Sequence, residues 1–328
     1  GVSSVIPDMN PTRPADVEPE NILEPIRHFQ ISQAFGSPAL WNRVGKYCVE
    51  KSIKIPHLKR ITSAGAPLPL PILKRMHEVL QEPDADMYPP YGATESLPVA
   101  CLSGREMVGA IGDQTAAGAG TCVGKPFTRI RVRIIKIVDG PISSPAEMEE
   151  LPIREVGEIV VSGEVVTKEY YRRPEATRLG KIADENELWH RVGDVGYLDA
   201  EGLLWFCGRK AHIVSTKAGP RYTEQCEPVF NEHPQVYRTA LVGVGEPGTQ
   251  EPVIVVEREP QFQSQSSQQQ SQLVSELRDL AKQFPHTQCI ETFLFHDSLP
   301  VDIRHNVKIH REQLAAWATQ QLAAGGVR

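Results

Sequence analysis

Six consecutive residues, Tyr91-Gly92-Ala93-Thr94-Glu95-Ser96, set an aromatic face, a hydroxyl and a carboxylate side by side. Gly92 allows a sharp backbone turn after the aromatic residue. Tyr91 offers a flat face to a purine. Thr94 offers a hydroxyl to a phosphate oxygen, and Glu95 a hard oxygen to Mg²⁺. Taken alone, the segment reads equally well as a β-turn with a buried tyrosine. Four later segments add to it: Trp189–Asp194 (WHRVGD), Cys207–Lys210 (CGRK), Gly219–Arg221 (GPR) and Asn306–Lys308 (NVK). The Asp194 carboxylate can accept two hydrogen bonds from a cis-diol such as that of ribose. Arg209 can reach ribose or phosphate as a rigid fork. Lys308 is a compact cation on a flexible stem, suited to stabilise charge that builds up on a five-coordinate phosphorus. Each has a plainer reading, as a hairpin aspartate, a surface arginine and a solvated lysine. In this order and spacing, the set describes ATP-dependent activation of a carboxylate.

Tyr91–Glu95 resembles the core motif of the adenylate-forming superfamily: acyl-CoA synthetases, luciferases and nonribosomal-peptide adenylation domains. Ser63–Pro67 (SAGAP) is similar to the family's Gly-rich turn, whose backbone lies against adenine. Gly120–Pro126 resembles its G-x-x-G-x-P motif with one extra residue between the glycines. Gly157–Thr177, with GEIVVSG, Tyr170, Tyr171 and Pro174–Thr177, resembles the motif that follows. The resemblance implies ATP/AMP and Mg²⁺ as cofactors. It implies Gly65, Ala66, Pro67, Tyr91, Gly92, Asp194 and Arg209 as nucleotide contacts. Thr94, Glu95 and Lys308 are then catalytic, with Glu95 on the metal, and Lys210 and Ala211 form a hinge.

Several positions depart from the family pattern. Ala211 and His212 stand where acidic hinge residues are usual, and Asn306-Val307 replaces Ser-Gly before Lys308. Pro89-Pro90 precedes Tyr91 where a polar-Gly pair is common. The strings YPPYGATES, WFCGRKAH and LPVDIRHNVKI resemble the olefin-biosynthesis branch, the β-lactone synthetases. That resemblance implies a long-chain β-hydroxy fatty acid as substrate. Its own hydroxyl displaces AMP, a step made unimolecular by holding both groups together. It also implies partner enzymes in a hydrocarbon-biosynthesis complex. The alternatives are a long-chain acyl-CoA ligase and a catalytically inactive nucleotide-binding scaffold. The Ser/Thr/Gly-rich phosphate loop of the family is missing, so the chain reads as the C-terminal part of a larger enzyme and is expected to be inactive alone.

Composition sets outer limits. Two or three domains are expected for 328 residues. A net charge of −6 argues against general nucleic-acid binding. No apolar run approaches the roughly 20 residues of a transmembrane helix, and no signal peptide is visible. The six cysteines lack any CxxC pair, which suits reduced thiols, no zinc site and a cytoplasmic protein.

The expected fold class is α/β plus α+β. Residues 22–95 alternate helix and strand, as in a doubly wound layer: helices at Ile22–Phe29, shortened by Pro25, at Pro38–Lys51 and at Leu70–Leu80, and a strand at His57–Ser63. Thr128–Val138, Gly157–Gly163 and Leu203–Gly208 read as strands of a small antiparallel subdomain. Beyond Arg209, helices at Gln225–His233, Gln272–Phe284 and Glu312–Leu322 and strands at Tyr237–Gly245, Glu251–Glu257 and Glu291–Leu294 make an α+β domain. Gln261–Gln272 is low-complexity and expected as a mobile loop, and Gly219–Arg221 as a loop that swings into the site. Ile31–Leu40 is a candidate wall of the acyl pocket. The resulting layout is residues 1–119 in the large α/β domain, 120–208 as its β-subdomain, and 209–328 as a mobile C-terminal domain.

Overall fold

The computed structural model describes residues 2–264, 266–301 and 308–325. It divides into two compact units: the described parts of 1–91, 100–112 and 301–308, and those of 92–99, 113–300 and 309–328.

In the first unit, strands Gln33–Gly36, Arg60–Ser63 and Asp86–Tyr88 pair in parallel in that order. Parallel neighbours need a long crossover, and the helices Pro38–Glu50 and Leu70–Val79 supply the two connections. The first of these starts sharply because Ser37 accepts a hydrogen bond from Leu40 N and Pro38 occupies the first turn. Its Trp41, Val44 and Cys48 are buried at spacings of three and four, the signature of an apolar stripe. Ile72, Leu73, Met76 and Val79 bury the matching stripe of the second. Each fully buried side chain of this size stabilises by about 1.5–3 kcal/mol. The helices meet where Gly45 lacks a side chain, since a Cβ there would lie 3.0 Å from Met76 Sδ. The preceding helix runs from Pro19 to His28 with Pro25 inside it, so that proline does not set its end.

Among the described residues, the second unit holds most of a large sheet, a smaller sheet and a two-stranded hairpin. The large sheet has eight strands among those residues. Seven follow the order Tyr91–Ala93, Ser96–Cys101, Thr121–Pro126, Leu204–Arg209, Leu188–Leu198, Gly157–Ser162 and Arg131–Ile135, and Lys181–Ala183 also pairs with Leu188–Leu198. Leu188–Leu198 is the hub, antiparallel to three neighbours.

The smaller sheet orders Val236–Val244, Glu251–Arg258 and Thr292–Phe295. Side chains alternate along its strands. Leu241, Ile254 and Val256 pack with Cys226 and Phe230 of helix Thr223–Asn231 and with Leu273 and Leu277 of helix Ser267–Ala281. Ala240, Val242, Val253 and Val255 pack on the other face, with Leu314 and Ala318 of helix Arg311–Ala323. Both faces are covered, which explains the unbroken apolar run Val253–Val256.

Two expectations are corrected. The glutamine-rich stretch is a loop only in its first part. Ser266 accepts from Gln269 N while Gln269 Oε1 accepts from Ser266 N, and this capping box starts a helix that carries Ser267–Gln272. Glutamine is a good helix former, and these residues extend the buried Leu273–Leu277 stripe onto an exposed turn. Gly219–Arg221 is a short strand, paired with Val214–Thr216 in a hairpin.

Candidate active site

Thr94 and Glu95 form the turn between strands Tyr91–Ala93 and Ser96–Cys101. The approach of the two strands requires glycine at position 92. A Cβ on Gly92 would lie 2.5 Å from Ser96 O and 2.8 Å from Leu97 Cδ1. Thr94 is exposed, whereas Glu95 is half-buried.

Glu95 is tied down at two points. Its backbone carbonyl accepts from Thr167 N at 2.8 Å. Its Oε1 accepts from the Tyr170 hydroxyl at 2.9 Å. Burial alone would raise the Glu95 pKa. The Tyr170 hydrogen bond, its own backbone N–H and the charges of His190 and Lys181 outweigh burial and hold the carboxyl below the usual range. Burial and the Glu95 contact push the Tyr170 hydroxyl up to about 12, so it stays a donor. Lys181, itself buried, donates from Nζ to Thr167 Oγ1 at 3.2 Å. Desolvation lowers its pKa, and the Glu95 charge opposes that. His190 Nδ1 lies 2.9 Å from Gly180 O, and burial followed by the Lys181 charge lowers its pKa.

Asp194 and Arg209 face each other in register on neighbouring strands. Arg209 Nη1 donates to Asp194 Oδ1 at 2.7 Å. The Asp194 side chain is 6% exposed and the Arg209 side chain 50%, so the guanidinium is open to solvent along part of its fork. Gly193, with φ +77, makes the turn in the backbone just before Asp194.

Lys210 and Ala211 lie in the single helical turn Lys210–His212 directly after strand Leu204–Arg209. Lys210 Nζ donates to Glu158 Oε2 at 3.2 Å and to the Val138 carbonyl. Glu158 also takes both arms of Arg191, Nε at 2.9 Å and Nη2 at 2.7 Å. Ala211 is exposed. In the same unit, Thr121 Oγ1 donates to Glu224 Oε2 at 2.9 Å. Burial first, then the neighbouring Glu227, push the Glu224 carboxyl up to about 7.

Gly65, Ala66, Pro67, Tyr91 and Lys308 belong to the other compact unit. Gly65 has φ +95 in the turn after strand Arg60–Ser63, a conformation that favours glycine. Lys308 is exposed, and Asn306 and Val307 lie outside the described residues. The structure therefore joins Asp194 to Arg209 and seats Glu95 beside Tyr170, Lys181 and His190. Sequence reasoning places Tyr170, His190 and Glu158 in motifs without a role and overlooks Lys181. A tyrosine before a Pro-Glu-x-Thr helix start is the one available signal.

The AMP-binding enzyme family matches residues 1–171, and the chain belongs to that family. An olefin β-lactone synthetase of Xanthomonas campestris is 48% identical over 98% of this chain and 57% of its own length. Among solved structures, an amide bond synthetase from Marinactinospora thermotolerans superposes with a TM-score of 0.70 at 23% identity, over 92% of this chain and 55% of that one. The o-succinylbenzoate CoA synthetase of Bacillus subtilis, in complex with its acyl-adenylate intermediate, gives 0.67 at 23%, over 91% and 54%. These likenesses establish the adenylate-forming fold. The chain spans little more than half the length of the relatives it matches.

The donor set suits Mg²⁺. Among the described residues no group of three or more His, Cys, Asp or Glu side chains is placed to hold a metal ion. Mg²⁺ commonly takes one carboxylate from the protein and its other ligands from phosphates and water. A single ionised Glu95 matches that habit. Among the described residues, no helix is long and apolar enough to cross a membrane.

Proposed function

We propose that the protein containing this chain activates a long-chain β-hydroxy fatty acid with ATP and closes it to a β-lactone. The observation that carries this reading is the 48% identity to an olefin β-lactone synthetase along 98% of the chain. In the first step a carboxylate oxygen of the acid attacks the α-phosphorus. The bond from that phosphorus to the bridging oxygen breaks, and pyrophosphate leaves. In the second step the β-hydroxyl oxygen attacks the acyl carbon, loses its proton, and AMP departs with the acyl–oxygen electron pair.

The residues take roles their chemistry allows. Gly65, Ala66, Pro67, Tyr91 and Gly92 hold adenine, and Asp194 and Arg209 hold ribose. The bond from Arg209 orients the Asp194 carboxylate, and an ionised carboxylate has acceptor capacity for a diol as well. Thr94 contacts phosphate, Glu95 holds Mg²⁺, and the cation shields phosphate charge when bound. Lys308 stabilises the charge that builds on the carboxylate and phosphate oxygens. Residues 209–328 act as a mobile domain on a hinge at Lys210 and Ala211, against residues 1–119 and the β-subdomain 120–208. The protein acts in the cytoplasm, alongside other enzymes of hydrocarbon biosynthesis.

The full-length protein is to be incubated with ATP, Mg²⁺ and a 3-hydroxy fatty acid, with and without CoA. Lactone is expected in both. A product that forms only with CoA replaces this reading with an acyl-CoA ligase. Lys308→Ala is expected to slow pyrophosphate release by roughly 10²–10³-fold; an unchanged rate removes Lys308 from the first step.

A further inference from the structure

We propose that Tyr170 is a positioning residue for the nucleotide-bound cation: its hydroxyl, fixed among its own neighbours, holds the Glu95 carboxylate in its metal-binding orientation. The proposal rests on the reading of Glu95 as the cation ligand. The geometry that carries it is a closed set of contacts. Tyr170 donates to Glu95 Oε1 at 2.9 Å, which fixes one end of the carboxylate. The same short segment holds the Glu95 backbone, through Thr167 N on its carbonyl.

Tyr170 is itself fixed from several sides. Its backbone N donates to Thr177 Oγ1 at 3.0 Å, and Thr177 Oγ1 donates in turn to Arg173 O at 3.0 Å. Gly180 gives the ring its space, since a Cβ there would lie 3.2 Å from Tyr170 Cε2. Lys181 Nζ stands 5.8 Å from the ring centroid, and the His190 ring lies edge-on at 6.5 Å. A tether that merely held the loop in place would be served by the Thr167 N contact on the Glu95 carbonyl. The hydroxyl adds control over one torsional freedom, the orientation of the carboxylate. Partners that orient ligating carboxylates typically contribute about 10–100-fold in metal affinity.

The test measures how much Mn²⁺ tightens the binding of a non-hydrolysable ATP analogue to the full-length protein. Calorimetric titration with and without Mn²⁺ gives that ratio, and it does not depend on turnover. Tyr170→Phe is expected to shrink the ratio about ten-fold while leaving the metal-free affinity unchanged. Gly180→Ala, which crowds the ring but keeps the hydroxyl, is expected to shrink it by a smaller factor. Gly180→Ala also supplies the reading if Tyr170→Phe does not fold. Glu95→Gln is the control for the underlying reading. If Glu95→Gln shrinks the ratio and neither of the other variants does, the positioning role is overturned while Glu95 keeps its cation. If Glu95→Gln leaves the ratio intact, the Glu95 reading itself falls. Equal weakening with and without Mn²⁺ in Tyr170→Phe marks a structural tether and also overturns the proposal.

Discussion

Strand Leu188–Leu198 carries two carboxylate–guanidinium pairs only a few residues apart, and they differ in exposure. Arg191 and Glu158 are 5% and 2% exposed and joined by two hydrogen bonds. Three backbone carbonyls, Val138, Leu179 and Gly140, take the remaining guanidinium hydrogens. Arg209 reaches Asp194 through one arm, Nη1, and half of the arginine side chain faces water. The first pair is complete in itself and has no donor left for a ligand. The second has an oriented carboxylate and an open fork. The same residue chemistry is closed architecture in one place and, on the proposed reading, a recognition element in the other, and burial on both sides makes the difference.

The contrast can be tested through stability. Glu158→Gln leaves Arg191 charged and buried, so a loss of about 3–5 kcal/mol in urea unfolding is expected. Adding Arg191→Met should recover much of it. A Glu158→Gln loss below about 1 kcal/mol would erase the distinction between the pairs.

Glu224 tests the same idea with a carboxyl bonded to a hydroxyl rather than a guanidinium. Its pKa rises from 4.5 to about 7 in the folded state. The folded state therefore keeps a proton that the unfolded chain releases. That stability is fully present below about 4.5 and is lost as pH rises through about 7. Unfolding free energy should fall by of order 1–3 kcal/mol across that window, and Glu224→Gln should flatten the slope. An unchanged slope in the variant would mean another group titrates there.

Lys210→Met removes the second cation from Glu158. A loss of about 1.5–3 kcal/mol is expected, because the bonds to Glu158 and to the Val138 carbonyl go while the Arg191 pair remains. The smallest stability change belongs to Arg209→Ala, at most about 1 kcal/mol, since the exposed fork contributes little to folding. Its ATP affinity should nevertheless drop at least about ten-fold by calorimetry, as one charge-assisted contact to the nucleotide is lost. Unchanged ATP affinity would place Arg209 with the structural pairs.

Much of the architecture was readable from residue order. The Trp41–Val44–Cys48 and Leu273–Leu277 stripes repeat at helical period, and Val253–Val256 is an apolar run of strand length, so these elements are legible in the sequence, although the second helix starts at Ser267 rather than Gln272. The helices Gly104–Met107 and Ala110–Ala116 were not expected. They span too few turns for a periodic pattern, and the first is started by a capping box at Ser103. The glutamine-rich composition of Gln261–Gln272 also misled. Low complexity describes a missing core and says nothing about an exposed helical turn, and here the cap at Ser266 decides where the helix begins.

The site divides in the same way. Residue types at fixed spacing singled out Thr94, Glu95, Asp194, Arg209 and Lys308, because phosphate, cation and diol chemistry each demand a particular functional group. Local order along the chain also determined the need for Gly92 and the class of enzyme the motifs resemble. Only the tertiary structure decided which groups share a hydrogen bond. Glu95 and Tyr170 are 75 positions apart and Arg191 and Glu158 are 33 apart. Periodicity reports which face a side chain takes but not which distant strand will lie beside it. That choice is made by sheet register and by the burial that register creates, and burial is what closes one ion pair and leaves the other open.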